Sequence, residues 1–242
     1  MKSDVMLKEK IRQVYDKISH SINLLYRDKF RLFFNYEIAL FLEYLDVKRD
    51  DIVLDMGCGT GRFFQFLNKK VALVVGCDFS KNMALMAKKY AKEGACDIVV
   101  CDCMYLPFKE QVFDKVLACG LFEYVQSLRE YLREVNRVLK KGGSIVFNVW
   151  NALYPFMPFI KIFEFKYYPR SLHVLAYIKN IVRSCNLSII DVSGYFFIPF
   201  FILGHLPKCF YYVIIKIEKW ASHRKLYKFA SQIIVKARKC VD

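Results

Sequence analysis

Asp55-Met56-Gly57-Cys58-Gly59-Thr60-Gly61 follows the apolar run Ile52-Val53-Leu54. A buried strand that breaks into a glycine loop lets a small ligand approach backbone N–H groups, because glycine carries no Cβ. The glycines fall at G-x-G-x-G, and Arg62 stands where a dinucleotide-binding fold wants its third glycine. Asp55 lies at the mouth of the loop, where it repels a pyrophosphate and suits a cationic head group.

Two more acids follow at similar places. Val74-Val75-Gly76-Cys77-Asp78 puts a carboxylate at the end of the next apolar run, suited to accept hydrogen bonds from both hydroxyls of a ribose. Val100-Cys101-Asp102-Cys103-Met104 puts a third at the end of another, able to accept from an exocyclic adenine amine while Met104 and Leu106 sandwich the ring. An isolated Asp at a strand end is usually a cap or turn former. Three in succession beside a glycine loop point to a nucleoside-like ligand. S-adenosylmethionine, with a sulfonium, an α-ammonium group and no phosphate, meets both requirements.

The elements that must hold these residues alternate. The spacing predicts strands at Ile52–Asp55, Ala72–Asp78, Asp97–Cys101, Phe113–Cys119 and Ser144–Val149. Helices are expected at Arg62–Asn68, Lys81–Lys92 and Leu128–Leu139, with Ser80 an N-cap and Gly94 a terminator of the second. Val14, Ile18, Ile22 and Leu25, then Phe33, Ile38, Leu40, Phe41 and Leu45, mark helices in the first fifty residues. After Trp150 the alternation lapses into an aromatic-rich stretch. A helix at Leu172–Cys185 and strands at Leu187–Ser193 and Ser231–Ala237 follow. The expected fold is α/β: a Rossmann-like doubly wound sheet of seven mostly parallel strands with helices on both faces. One domain is expected over 1–242: an N-terminal helical cap (1–45), a cofactor-binding core (46–150), and a substrate lid with the last strands (151–242).

Composition bounds the setting. Hydrophobic residues make up 55% of the 242, ample for a packed core. Nine cysteines without regular spacing suit a reducing cytosol, and the one-residue gap of Cys101-x-Cys103 is too short for a usual zinc pair, so no metal is expected. The first ten residues show no apolar signal region. A cytoplasmic location, with peripheral contact to a membrane as an option, is the expectation. The net charge of +15 is uneven: residues 1–150 hold 24 basic and 19 acidic side chains, residues 151–242 hold 14 and 4. Such a surface is either a solvated face or meets phospholipid headgroups, nucleic acid or an acidic substrate.

The chain resembles the class I S-adenosylmethionine-dependent methyltransferases, in particular the methyltransferase type 11 group that includes the ubiquinone/menaquinone biosynthesis enzymes. The resemblance rests on Val53–Gly61, Gly76–Ser80, Asp102–Phe108 and Glu134–Gly143. It implies S-adenosylmethionine as cofactor, its methionine portion held by Asp55 and by the loop of Gly57, Cys58, Gly59 and Gly61. It implies Asp78 at the ribose with Phe79 and Met83 beside it, Asp102, Cys103 and Met104 at the adenine, Cys119 along the cofactor, and Tyr15 as an aromatic over it. Many relatives carry a Glu-His or His-His pair after the fourth strand, whereas this chain has Phe122-Glu123-Tyr124 and lacks that histidine.

Methyl transfer needs a base only when the acceptor must lose a proton. Glu123 is the catalytic candidate, with Tyr124, His173 and His205 as alternatives; a helix-dipole role for Glu123 and structural roles for the histidines stand beside these readings. The run Tyr195–Ile215 is too interrupted by Pro199, His205, Pro207 and Lys208 to span a bilayer, which leaves a lid over an apolar pocket or a segment lying at a membrane interface. Both point to a small apolar or amphiphilic acceptor such as a lipid or quinone precursor. Two alternatives remain: an RNA methyltransferase using the basic C-terminal surface, less favoured because no single-strand platform is visible, and a non-catalytic cofactor-binding subunit. The oligomeric state is not legible.

Overall fold

The computed structural model describes residues 2–19, 30–91, 95–125, 127–163, 171–224 and 226–241. Ile22, Leu25 and Gly94 fall outside them. The strands are β1 (Ile52–Met56), β2 (Leu73–Asp78), β3 (Cys96–Val100), β4 (Phe113–Ala118), β5 (Leu139–Asn151), β6 (Leu172–His173), β7 (Leu187–Tyr195) and β8 (Gln232–Lys239). The α-helices are α1 (Lys2–Ile18), α2 (Arg31–Leu45), α3 (Phe64–Leu67), α4 (Lys81–Ala91), α5 (Leu128–Val138), α6 (Met157–Phe163), α7 (Leu175–Ser184), α8 (Phe200–Leu203) and α9 (Cys209–His223).

The sheet order is β3-β2-β1-β4-β5-β8-β7, with the two-residue β6 paired to β5. Only β8 runs antiparallel, against β5 and β7. The expected seven-stranded, mostly parallel sheet is therefore present with one short addition. The order reverses between β1 and β4, which is where an open α/β sheet forms its ligand crevice.

Several boundaries differ from the sequence reading by one or two residues, and two differ for local reasons. β5 begins at Leu139, directly after α5, and its pairing with β4 shifts between Phe113 and Lys115, where Gly142 at φ +72° lets the chain bulge. Leu172 and His173 pair with Trp150 and Asn151 instead of opening a helix, so α7 starts at Leu175.

The pleat sorts the core into two layers. Leu54 and Met56 of β1 pack with α5 and α7 through Leu132, Val135, Ile181 and Val182. Val53 points to the opposite layer, with Phe33 and Phe41 of α2, Phe64 of α3 and Tyr211 and Ile214 of α9. Asp55, in phase with Val53, is directed to that second layer.

A buried acid fastens α9. Glu218 accepts the N–H groups of Phe197 at 2.8 Å and Ile198 at 3.3 Å, and its Oε2 has no hydrogen-bond partner. Burial pushes its carboxyl up to about 7, against the opposing pull of those N–H groups. A raised acid favours the folded state most below its unfolded pKa and loses that contribution as pH climbs to about 7. Glu218→Gln is therefore expected to flatten the fall in stability between pH 5 and pH 8, by about 2–3 kcal/mol, in chemical melts followed at both pH values.

Candidate functional site

A cavity of about 780 Å³ opens over the carboxyl ends of β1, β2, β3, β4 and β5. Its floor is Gly57, Cys58, Gly59 and Thr60 after β1, Asp78, Phe79 and Ser80 after β2, and Asp102 and Cys103 after β3. The loop after β1 is shaped by glycine: Gly57, Gly59 and Gly61 all have positive φ. At Gly61 a Cβ would come within 2.9 Å of the Phe64 ring, so the loop packs tightly behind. At Gly59 a Cβ would meet nothing within 4 Å, so the loop leaves open space in front.

Asp78 braces this floor. Its Oδ2 accepts the Gly59 N–H at 2.8 Å and its Oδ1 the Ser80 N–H at 2.8 Å. Burial raises its carboxyl pKa, and those two N–H groups work against the rise. A carboxylate has about four acceptor positions, so Asp78 keeps capacity for a ligand hydroxyl beside its backbone bonds. Ser80 accepts the Met83 N–H at 3.1 Å and caps α4, as its sequence position suggests.

α1 forms the roof. Lys8, Ile11, Arg12, Val14, Tyr15 and Ile18 all line the cavity. Lys8 Nζ pairs with Asp102 Oδ2 at 2.8 Å, and the other Asp102 oxygen accepts the Met104 N–H. Asp16 accepts from the Ser80 hydroxyl and from the Asn82 backbone, pinning α1 to the start of α4. The Arg12 guanidinium sits 5.8 Å from the Phe79 ring centre, and Tyr15 meets Tyr124 edge-on at 5.6 Å.

The far wall is aromatic. Phe30, Phe34, Tyr124, Trp150 and Phe196 line it, with Glu123, Asn148 and Gln232 as its polar members. Trp150 Nε1 donates to Glu123 Oε2. Asn148 Oδ1 accepts the Gly120 N–H at 2.7 Å and so fixes the turn after β4.

Of the sequence-derived candidates, Gly57, Cys58, Gly59, Asp78, Phe79, Met83, Asp102, Cys103, Cys119, Glu123 and Tyr15 line this one cavity. Gly61 stands behind the loop. Asp55 and Met104 are off the wall, and so are His173 and His205. Met104 instead contacts Lys8 Nζ through its sulfur. His173 stacks on Tyr177, and His205 is exposed.

Asp55 belongs to a buried charge network that the sequence reading missed. Arg62 donates to Glu37 Oε2 at 2.7 Å and to Cys119 Sγ at 2.7 Å, and Tyr195 donates to Glu37 Oε1 at 2.9 Å. Burial pushes the Asp55 carboxyl up to about 7, with Arg62 lowering it and Asp78 raising it. Burial also pushes the Cys119 thiol up, again opposed by Arg62. The available signal was Glu37, an acid set among Tyr36, Ile38, Leu40 and Phe41 in α2, and the one of that helix's two acids that is buried.

Comparison with known proteins fits this geometry. Residues 54–147 match the family model described as a methyltransferase domain. An uncharacterised protein of Methanocaldococcus jannaschii is 38% identical over 142 residues, 58% of this chain and 52% of that protein. The probable tRNA methyltransferase 9B of Mus musculus is 32% identical over 108 residues, 43% of this chain and 23% of its own length. The ubiquinone/menaquinone biosynthesis C-methyltransferase UbiE of Desulfotalea psychrophila is 38% identical over 114 residues, 44% of this chain and 46% of that enzyme. The chain spans about half or less of these curated relatives. In structure, the protein solved in complex with the Haloferax volcanii Trm112 methyltransferase activator superposes with a TM-score of 0.70 at 18% identity, covering 94% of this chain and 98% of that one. Residues 54–147 thus carry the match to a methyltransferase domain, on a fold shared with that solved structure.

Proposed function

We propose that this protein transfers a methyl group from S-adenosylmethionine to a small apolar or amphiphilic acceptor. The observation that carries the reading is one cavity that joins a polar, glycine-lipped floor to an aromatic far wall. The floor fits the cofactor: the open space before Gly59 admits a ligand, and the remaining acceptor capacity of Asp78 suits vicinal hydroxyls. Asp102 and Cys103 flank the adenine position, Phe79 and Met83 pack beside the nucleoside, and Tyr15 covers it. Arg62, on the cavity wall beside the glycine loop, would meet a methionine carboxylate, with Cys119 next to it.

When bound, the cofactor supplies a methyl group on a positively charged sulfur, open to in-line displacement. The chain's own work is alignment and exclusion of water. Lys8, Arg12 and Tyr15 close the roof, while Phe30, Phe34, Trp150 and Phe196 dry the acceptor end. For an acceptor that must lose a proton, Glu123 is the wall carboxylate available to take it, oriented by the Trp150 indole N–H.

An RNA acceptor is the second reading, favoured by the tRNA methyltransferase relative and by the net charge of +15. Incubation with methyl-labelled cofactor and separate lipid, small-metabolite and RNA fractions separates the two. Label in the organic-soluble or small-metabolite fraction is expected. Label confined to RNA would replace the proposal with the second reading, and no transfer to any fraction would leave a binding subunit.

A further inference from the structure

α9 divides its residues between two surroundings. Tyr211, Ile214, Glu218, Ala221 and Ser222 are buried against the body of the protein. Phe210, Val213, Ile217 and Trp220 stand outward at 53, 54, 49 and 56% exposure. Their spacing of three, four and three residues sets them in one stripe along the helix. Apolar side chains scattered singly on a surface need no explanation, but four aligned on one helix face do.

The border of the stripe is basic. Lys208, Lys216, Lys219 and Arg224 are exposed around it. The Arg224 guanidinium lies 5.4 Å from the Trp220 ring centre. Between Phe196 and Ala230 the sequence has a single acid, Glu218, and that side chain is buried and bonded to backbone N–H groups. No carboxylate of α9 faces outward.

We propose that the outer face of α9 docks on an anionic lipid bilayer, with the stripe entering the interface and the lysines meeting headgroup phosphates. Charge and chemistry select this occupant. A second copy meeting the same face would bring the lysines against each other. Single-stranded RNA would use the lysines and aromatics but would leave Val213 and Ile217, which offer no stacking face, in water. The surface differs from the Tyr195–Ile215 segment expected from sequence, because Tyr195, Phe196 and Leu203 are buried and Phe196 lines the cavity. α9 packs on α2 through Phe33–Tyr211 and Tyr36–Ser222, and α2 supplies Phe34 and Glu37 to the cavity wall. Docking thus sets α9, and behind it the wall-forming α2, between the bilayer and the cavity, about two helix diameters or roughly 20 Å. The link to an apolar acceptor rests on the function proposed above; the docking itself does not.

The test uses the intact protein and needs no turnover. The chain has two tryptophans: Trp150, buried, and Trp220, exposed. The protein is expected to sediment with phosphatidylcholine vesicles that contain phosphatidylglycerol, to be released by high salt, and to bind pure phosphatidylcholine at least about tenfold more weakly. Brominated acyl chains should quench Trp220, and Trp220→Phe should abolish that quenching while keeping vesicle binding. Ile217→Ser with Trp220→Ser, and separately Lys216→Glu with Lys219→Glu, should each lower vesicle affinity by about tenfold or more, with melting points unchanged because all four positions are exposed. Absence of sedimentation with anionic vesicles, an unquenched Trp220, or a dimer that the serine variant dissolves would each overturn the proposal. So would retention on RNA with none on anionic vesicles.

Discussion

Asp78→Ala is expected to weaken binding of S-adenosylhomocysteine by roughly 30- to 1000-fold in titration calorimetry, the loss of about 2–4 kcal/mol from two charge-assisted hydrogen bonds. The carboxylate has a second task, because it also accepts the Gly59 and Ser80 N–H groups. Removing it leaves both donors short of a partner, so some loss of thermal stability accompanies the loss of affinity. Asp78→Asn separates the tasks. Its amide oxygen keeps one backbone bond and the side-chain volume, while the negative charge is gone. Affinity should therefore stay low in the Asn variant even where melting recovers. Wild-type affinity in either variant would remove Asp78 from the cofactor site.

That Asp78 could be picked out from sequence alone reflects what is local about a strand end. The run Val74–Asp78 carries its own period, its glycine and its terminal acid within five residues, so both element and candidate are legible together. The same holds for Asp102, for the loop from Gly57 to Gly61, and for Ser80 as a cap. The doubly wound, mostly parallel sheet followed from the α/β alternation, while the order of its strands came from the structure. What stayed hidden depends on residues far apart in the chain. Asp55 looked like a wall residue because it precedes the loop, yet the pleat turns it to the layer of α2, where Arg62 offsets it. The partners of Arg62 are 25 and 57 positions away. α1 was read as a helix, but its place as the roof needed Lys8 to find Asp102 and Asp16 to find Ser80 across the fold. The C-terminal segment divided residue by residue: Phe196 lines the cavity, while Phe210 and Trp220 of α9 face out. Hydropathy cannot separate those cases, because all three are large and apolar.

Arg62→Ala should be the most destabilising single change at this site, about 3–5 kcal/mol by denaturant melts. The guanidinium and the Glu37 carboxylate are 17% and 8% exposed, so their pairing is a buried one. Deleting Arg62 leaves Glu37 and Asp55 without their cation and removes the donor to Cys119. The response to pH identifies the cause. With Arg62 gone, the force that lowers the Asp55 pKa is lost, so that carboxyl titrates above about 7. A raised folded pKa favours the protonated form, so the variant should be least handicapped at pH 5 and progressively worse towards pH 8. Glu37→Gln added to Arg62→Ala should recover part of the loss, because a neutral amide costs less to bury than an unpaired carboxylate, and Tyr195 can still donate to its oxygen. A loss below about 1 kcal/mol, independent of pH, would mean that water reaches this network and that Arg62 serves the ligand alone.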